Sequence, residues 1–193
     1  MLKLLEEGTM CKKLFFVIAT IFIILTVSDG LYAESFHVGP GDVLEVSVWR
    51  DENLSRELVI TPDGILSYPL IGDVDVNNLS VSEIRTIITK LLSEYISDAS
   101  VAVMVKEINS LKAYVIGQVN NPGVFDITLE TRVMQVLAMA RGVTPFAAER
   151  DIHILRYKNN TATKIGFDYK QVLKGSNLKQ DILIKSGDVI VVP

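Results

Sequence analysis

Two histidines, one cysteine and a scatter of carboxylates are what this chain offers for chemistry. His37 and His153 each lack a second ligand at fixed spacing, so neither reads as a metal site. His153 lies within an alternating apolar–polar run, which assigns it to a strand. Cys11 stands alone, which excludes an intramolecular disulfide and a cysteine-based zinc cluster. Asp42, Asp51 and Glu52 are the carboxylates that could be imagined as a pair for glycoside hydrolysis, a reaction that needs two at a set separation. Asp42 falls in a turn, however, and Asp51 and Glu52 are adjacent surface residues of a loop. These are the right residue types without the geometry. No G-x-S-x-G, H-E-x-x-H or phosphate-loop pattern occurs. Asn53, Asn78 and Asn159 head N-x-[ST] triplets that carry no weight without a eukaryotic context. Trp49, Tyr68 and Tyr114 have faces that could stack on sugar rings, but packing in a core or an interface is the expectation for each. The residues therefore predict no catalytic constellation, no cofactor and no metal.

The 193-residue chain is 49% hydrophobic and 22% charged, with a formal net charge of −4. That balance is too acidic for binding a phosphate backbone, so nucleic acid is not an expected partner. The apolar excess sits near the N-terminus. Lys12 and Lys13 precede an uncharged stretch, residues 14–27, and Leu31-Tyr32-Ala33 follows. A basic start, a short apolar core and a small closing residue describe a secretory signal peptide over 1–33, cleaved after Ala33. The core is shorter than a bilayer-spanning helix requires. Met10 gives a cleaner start than Met1, because Glu6 and Glu7 interrupt the first basic region. Cys11 lies before the apolar core, the wrong side for lipid attachment, so there is no lipobox.

These candidates must be positioned by two units, 34–108 and 109–193, of overall α+β class. In the first, the turn Pro40-Gly41-Asp42 feeds an alternating strand over 43–49. A strand over 57–60 leads through Asp63-Gly64 into another over 65–70, and Pro69 and Gly72 mark the next reversal before a short 74–76 segment. Ser80 and Glu83 form a capping box, and Val81, Ile84, Ile87, Ile88, Leu91, Leu92 and Tyr95 recur at helical spacing behind it. The polar face of that helix has too few cations for a membrane surface, so it packs on a sheet. A strand over 100–106 closes the unit.

The second unit opens with a β-hairpin. Apolar runs over 113–116 and 124–127 flank Gly117-Gln118-Val119-Asn120-Asn121-Pro122-Gly123, whose Asn, Pro and Gly suit a chain reversal. Thr131 is placed to cap a helix carrying Val133, Val136, Leu137 and Ala140, with Gly142 at its left-handed C-terminus. Strands over 151–157 and 163–167 surround Lys158-Asn159-Asn160, and a helical turn over 169–174 ends at Gly175. The last strand, 189–192, is almost wholly apolar and suits burial on both faces. This order is that of a β-grasp fold with its last strand inserted centrally. Gly41-Asp42-Val43, Gly72-Asp73-Val74 and Gly187-Asp188-Val189 echo one another, each a turn glycine and an Asp that bonds local N–H groups.

The run from Phe36 to Trp49 (FHVGPGDVLEVSVW), the TPDGI at 61–65, the YPLIG at 68–72 and VIGQV with Pro122-Gly123 together resemble the Wza-like outer-membrane polysaccharide exporter family. In this resemblance a small α/β polysaccharide export domain is followed by a soluble-ligand-binding β-grasp (SLBB) domain. The resemblance implies a ring-shaped homo-oligomer that carries capsule or exopolysaccharide across the periplasm and works with an inner-membrane polysaccharide co-polymerase. It implies a conduit, not an enzyme. Pro40, Gly41, Asp42, Asp63, Gly64, Pro69, Gly72, Gly117, Pro122 and Gly123 are the family-motif turns, expected to act through the fold. Two departures stand out. Ala140-Arg141-Gly142 replaces the family's Ala-Gly-Gly, and the sequence stops after one β-grasp domain without an outer-membrane helix. A separate outer-membrane channel protein is therefore an expected partner. The rival readings are a monomeric periplasmic carbohydrate- or soluble-ligand-binding module and, less well supported by the residues, a cell-envelope hydrolase.

Overall fold

The computed structural model describes residues 35–158 and 161–193; the expected signal peptide, its cleavage point and the Asn159-Asn160 turn lie outside them. Ten strands and three α-helices are formed by the described residues. Strand β1 (Val43–Val48) buries Leu44, Val46 and Val48 and turns Val43, Glu45 and Ser47 toward the other face, as the period of two requires. It is the middle of a three-stranded antiparallel sheet, flanked by β2 (Asp51–Val59) and β5 (Val101–Glu107). A separate hairpin, β3 (Ile65–Tyr68) with β4 (Gly72–Asp75), adds Leu66, Tyr68 and Val74 to the core, and the Tyr68 hydroxyl donates to the Leu54 carbonyl at 2.6 Å. Helix α1 (Val81–Leu92) lies against β5 and inserts Ile84, Ile88 and Leu92, each fully buried. Full burial of such side chains stabilises by roughly 1.5–3 kcal/mol each. Its capping box is complete: Ser80 Oγ accepts from Glu83 N–H, and the Glu83 carboxylate accepts from Ser80 N–H at 2.8 Å.

Several expectations need correction here. Strand β2 starts at Asp51 and not at residue 57, so Asp51 and Glu52 lie on an edge strand and not in a loop. Leu54 is the lone apolar residue between positions 51 and 57, which hides any alternation; pairing with β1 through a turn at Arg50 (φ 64°) makes the strand. Strand β3 stops at Tyr68, because Leu70 takes a left-handed φ of 69°. Tyr95 lies beyond α1 and is exposed, and Trp49, at 73% exposed, does not join the core, the first of the two placements expected for it.

The second sheet has the order β7-β6-β10-β8-β9. Strands β6 (Lys112–Gly117) and β7 (Gly123–Asp126) form the expected hairpin. Strands β8 (Ile152–Lys158) and β9 (Thr161–Phe167) form another, and β10 (Val189–Val192) lies between the two. It runs parallel to β6 and antiparallel to β8, the central insertion that the sequence predicts. Helix α2 (Val133–Met139) packs Val133, Val136 and Leu137 on the inner face, beside Val115, Ile154, Phe167 and Ile190. Its N-cap is Arg132 and not Thr131. The buried Thr131 hydroxyl instead accepts from Thr128 N–H at 2.8 Å. The helix's orphan amides are met from far along the chain: Met134 N–H donates to Asp181 Oδ1 and Val133 N–H to the Ile182 carbonyl. Helix α3 (Tyr169–Leu173) is capped by Asp168, and Gly175 follows it in the left-handed region.

Candidate functional site

Two of the three Gly-Asp turns are built alike. In Gly39-Pro40-Gly41-Asp42, Asp42 N–H donates to the Gly39 carbonyl, Gly41 has φ 87°, and the Asp42 carboxylate accepts from Gly39 N–H at 2.8 Å. In Lys185-Ser186-Gly187-Asp188, Asp188 N–H donates to the Lys185 carbonyl, Gly187 has φ 84°, and the carboxylate accepts from Lys185 N–H at 2.9 Å. Both are tight turns that need a residue with positive φ third and favour proline second. Each launches the middle strand of its sheet, and both aspartates are buried. The third echo differs. Gly72 also has positive φ, but Asp73 is exposed and accepts from Ser67 Oγ at 2.5 Å across the hairpin.

The two turns meet at the segment that joins the sheets, residues 109–112. Asp42 Oδ1 accepts from the N–H groups of Asn109 and Ser110, both at 2.8 Å, and Asp42 Oδ2 accepts from Ser110 Oγ at 2.9 Å. Asn109 Nδ2 donates to the Gly41 carbonyl at 3.0 Å. From the other side Ser186 Oγ donates to the Ser110 carbonyl, and Gly187 N–H to that of Lys112. The approach is close: a Cβ on Gly39 would come within 2.6 Å of Ser110 Cβ. By sequence Asp42 is a local turn residue. The structure adds partners 67 and 68 positions away, which no short-range pattern displays. Asp188 likewise reaches beyond its turn, taking Arg156 Nη2 at 2.6 Å and Nε at 2.9 Å, while Nη2 also donates to the Leu183 carbonyl. The Asp188 carboxylate beside it holds the Arg156 guanidinium above its already high ordinary pKa.

The remaining motif turns are dispersed. Asp63 and Gly64 precede β3, with Gly64 at φ 80° and the Asp63 carbonyl accepting from Asn77 Nδ2 at 2.9 Å. Pro69 and Gly72 bound the reversal between β3 and β4. Gly117 has φ 95°, and a Cβ there would collide with the Val192 carbonyl oxygen. Pro122 and Gly123 close the β6–β7 loop; Gly123, at φ 159° with open space around it, is the less constrained glycine. That loop is fastened to the end of α2. Asn120 and Asn121 N–H groups donate to the Gly142 and Ala140 carbonyls, and Asn120 Nδ2 to that of Arg141 at 2.8 Å. Arg141 takes φ 60° and Gly142 φ 78°, so the arginine occupies a left-handed position that non-glycine residues rarely adopt.

The Asp42 carboxylate, buried and taken by four donors, faces no solvent where a substrate proton could reach it. Asp51 and Glu52 sit on the outer edge of the first sheet, remote in role from Asp42. His153 Nδ1 lies 3.1 Å from the Asp151 carbonyl. Among the described residues no group of three or more His, Cys, Asp or Glu side chains could hold a metal ion. An open groove of about 590 Å³ runs between α1 and the start of β5, lined by Arg85, Thr86, Thr89, Lys90 and Ser93 and by residues 99–101. Among the described residues no helix is long and apolar enough to cross a membrane.

A three-stranded sheet with one packed helix is thus joined by a short segment to a five-stranded β-grasp sheet. Residues 32–106 match the family described as polysaccharide biosynthesis/export protein, and residues 112–168 match the SLBB domain. The chain belongs to the polysaccharide export proteins built from these two domains. Among its relatives, the polysialic acid transport protein KpsD of Escherichia coli is 27% identical over 157 residues, 80% of this chain and 27% of that protein. The capsule polysaccharide export outer membrane protein CtrA of Neisseria meningitidis is 22% identical over 181 residues, 84% of this chain and 45% of that protein. The chain thus spans about a quarter of one relative and under half of the other.

Proposed function

We propose that this protein is a periplasmic component of a capsule or exopolysaccharide export machine, associating through partners with the outer membrane. In this reading copies of the chain form a ring-like conduit for the polymer, between an inner-membrane polysaccharide co-polymerase and a separate outer-membrane channel. The domains are 34–108 and 109–193, preceded by a cleaved signal peptide, and the role is transport without catalysis. The observation that carries the reading is the succession of a polysaccharide export domain and an SLBB domain in one compact unit, residues 36–193. The names of KpsD and CtrA support the same process.

Deletion of the gene in its host, with complementation, tests it. Surface polysaccharide should fall and intracellular polymer accumulate, and the wild-type chain should restore export. Native mass spectrometry of the purified protein should show a closed oligomer. Normal surface polysaccharide in the deletion strain, or a monomer with saturable binding of a small sugar, would favour a soluble-ligand-binding module instead.

A further inference from the structure

The first domain is electrically lopsided. Between Arg56 and Arg85 the sequence has no lysine or arginine, yet it carries Glu57, Asp63, Asp73, Asp75 and Glu83. The β3–β4 hairpin lies wholly within this stretch. Asp73 and Asp75 alternate with buried Val74, so both project from the hairpin's exposed face, opposite Ser67 and Ile65. At its tip Leu70 is 54% exposed, held there by a positive φ. The groove beside α1 has the opposite character. Arg85 and Lys90 line it, no carboxylate does, and neither cation enters an ion pair among the described residues. Its floor includes the apolar Ala99 and Val101. Glu57 pairs with Lys106, but Asp73 and Asp75 form no ion pair with Arg85 or Lys90 among the described residues.

We propose that the groove is the docking site for the β3–β4 hairpin of a second copy of this chain, Asp73 and Asp75 meeting Arg85 and Lys90 and Leu70 resting on Ala99 and Val101. Such a contact joins two different surfaces, and a head-to-tail interface of that kind generates rings or filaments where a two-fold pair of like surfaces cannot. The proposal rests on the ring-forming reading above and supplies its interface. Opposed charges on the two surfaces also fix register and exclude the like-to-like encounter of two hairpins. An acidic glycan would satisfy the two cations as well. The copy's hairpin is favoured because it brings acids and an apolar tip together, matching both the cations and the floor.

The test is sedimentation equilibrium of the purified protein, wild type and two double variants, each checked for a native melting curve. Arg85→Glu with Lys90→Glu reverses the groove; Asp73→Lys with Asp75→Lys reverses the hairpin. Asp73→Asn with Asp75→Asn, which keeps an acceptor for Asn77, stands in should the lysines disturb the turn. Each variant alone should assemble at least tenfold more weakly than wild type. Wild-type assembly should weaken in 1 M salt, where screening shortens to about 3 Å. An equimolar mixture of the two reversed variants should recover, because every groove then meets a hairpin of opposite sign. If wild type assembles and the variants assemble equally well, this interface is wrong and the ring reading survives. A wild type that stays monomeric at all concentrations overturns both. Acidic oligosaccharide binding lost in the groove variant, with assembly unchanged, overturns the proposal in favour of a glycan site.

Discussion

Four donors converge on the Asp42 carboxylate, three of them backbone N–H groups at 2.8 Å. Asp42→Ala strands them in a buried site, and an unmet buried donor costs about 1–3 kcal/mol. With partial rehydration the loss should be about 2–4 kcal/mol, read as a lower urea midpoint. Asp42→Asn should recover little, because its amide NH₂ would face donors. A midpoint unchanged in Asp42→Ala would contradict the clamp. Arg156 and Asp188 form the second such centre, at 2.6 Å with Asp188 1% exposed. Arg156→Ala leaves that carboxylate buried with Lys185 N–H as its remaining described donor, and should cost about 3–5 kcal/mol in the same measurement. The raised pKa of Arg156 means that its charge contributes throughout the neutral range and is lost only as pH rises far into the alkaline side. Stability between pH 6 and about 9 should therefore show no step from this group.

Helix α1 and strand β10 show what local sequence can and cannot specify. Ser80 and Glu83 announced the start of α1 because both halves of a capping box lie within four residues. Hydrogen bonds from the Ser80 side chain, then its backbone, hold Glu83 below its ordinary pKa. Its contribution is present above that ordinary value and is lost as pH falls through the lowered one. Ser80→Ala should move the Glu83 titration, followed by NMR, upward but only part of the way to the usual carboxylate range, because the bond from the backbone N–H of residue 80 remains; an unmoved curve would refute the assignment. Helix α2 shows only half of such a signal: Gln135 accepts from Arg132 N–H at 2.7 Å, but the acceptor for Met134 N–H, Asp181, is 47 residues away. Strand β2 was half hidden because its first residues are polar and only pairing with β1 makes them a strand. The β6–β7 hairpin and the central β10 were legible from turn residues and from an apolar run flanked by Gly187-Asp188. What the glycine at 117 does was visible only in three dimensions: Gln118 N–H donates to the Val192 carbonyl at 2.7 Å, and no Cβ fits beside it. Gly117→Ala should splay β6 from β10 and lower the melting temperature by several degrees, since strain at such a position costs about 1–3 kcal/mol or more. Gly123→Ala, with open space around it, should cost less in the same melt.

At the scale of the molecule, the joint at residues 109–112 is gripped from both sides, by the Asp42 turn and the Ser186 turn. A spin-label pair with one label on α1 and one on α3 should give a single narrow distance distribution, broadened in a variant combining Asp42→Ala with Ser110→Ala. Equal widths would mean that other contacts fix the two sheets. The placement of β10 has a further consequence, in time and not in space. The first core takes its buried residues from 38–92 and its remaining cover from 96–105, so it can close once β5 is available. The second cannot: its middle strand is residues 189–192, which pair with β6 across more than seventy intervening positions. Until those four residues emerge, β6–β7 and β8–β9 are two hairpins with a gap between them, and contacts of such long sequence separation form slowly. The second sheet therefore stays open until its middle strand has been made, long after the residues of the first core are in hand.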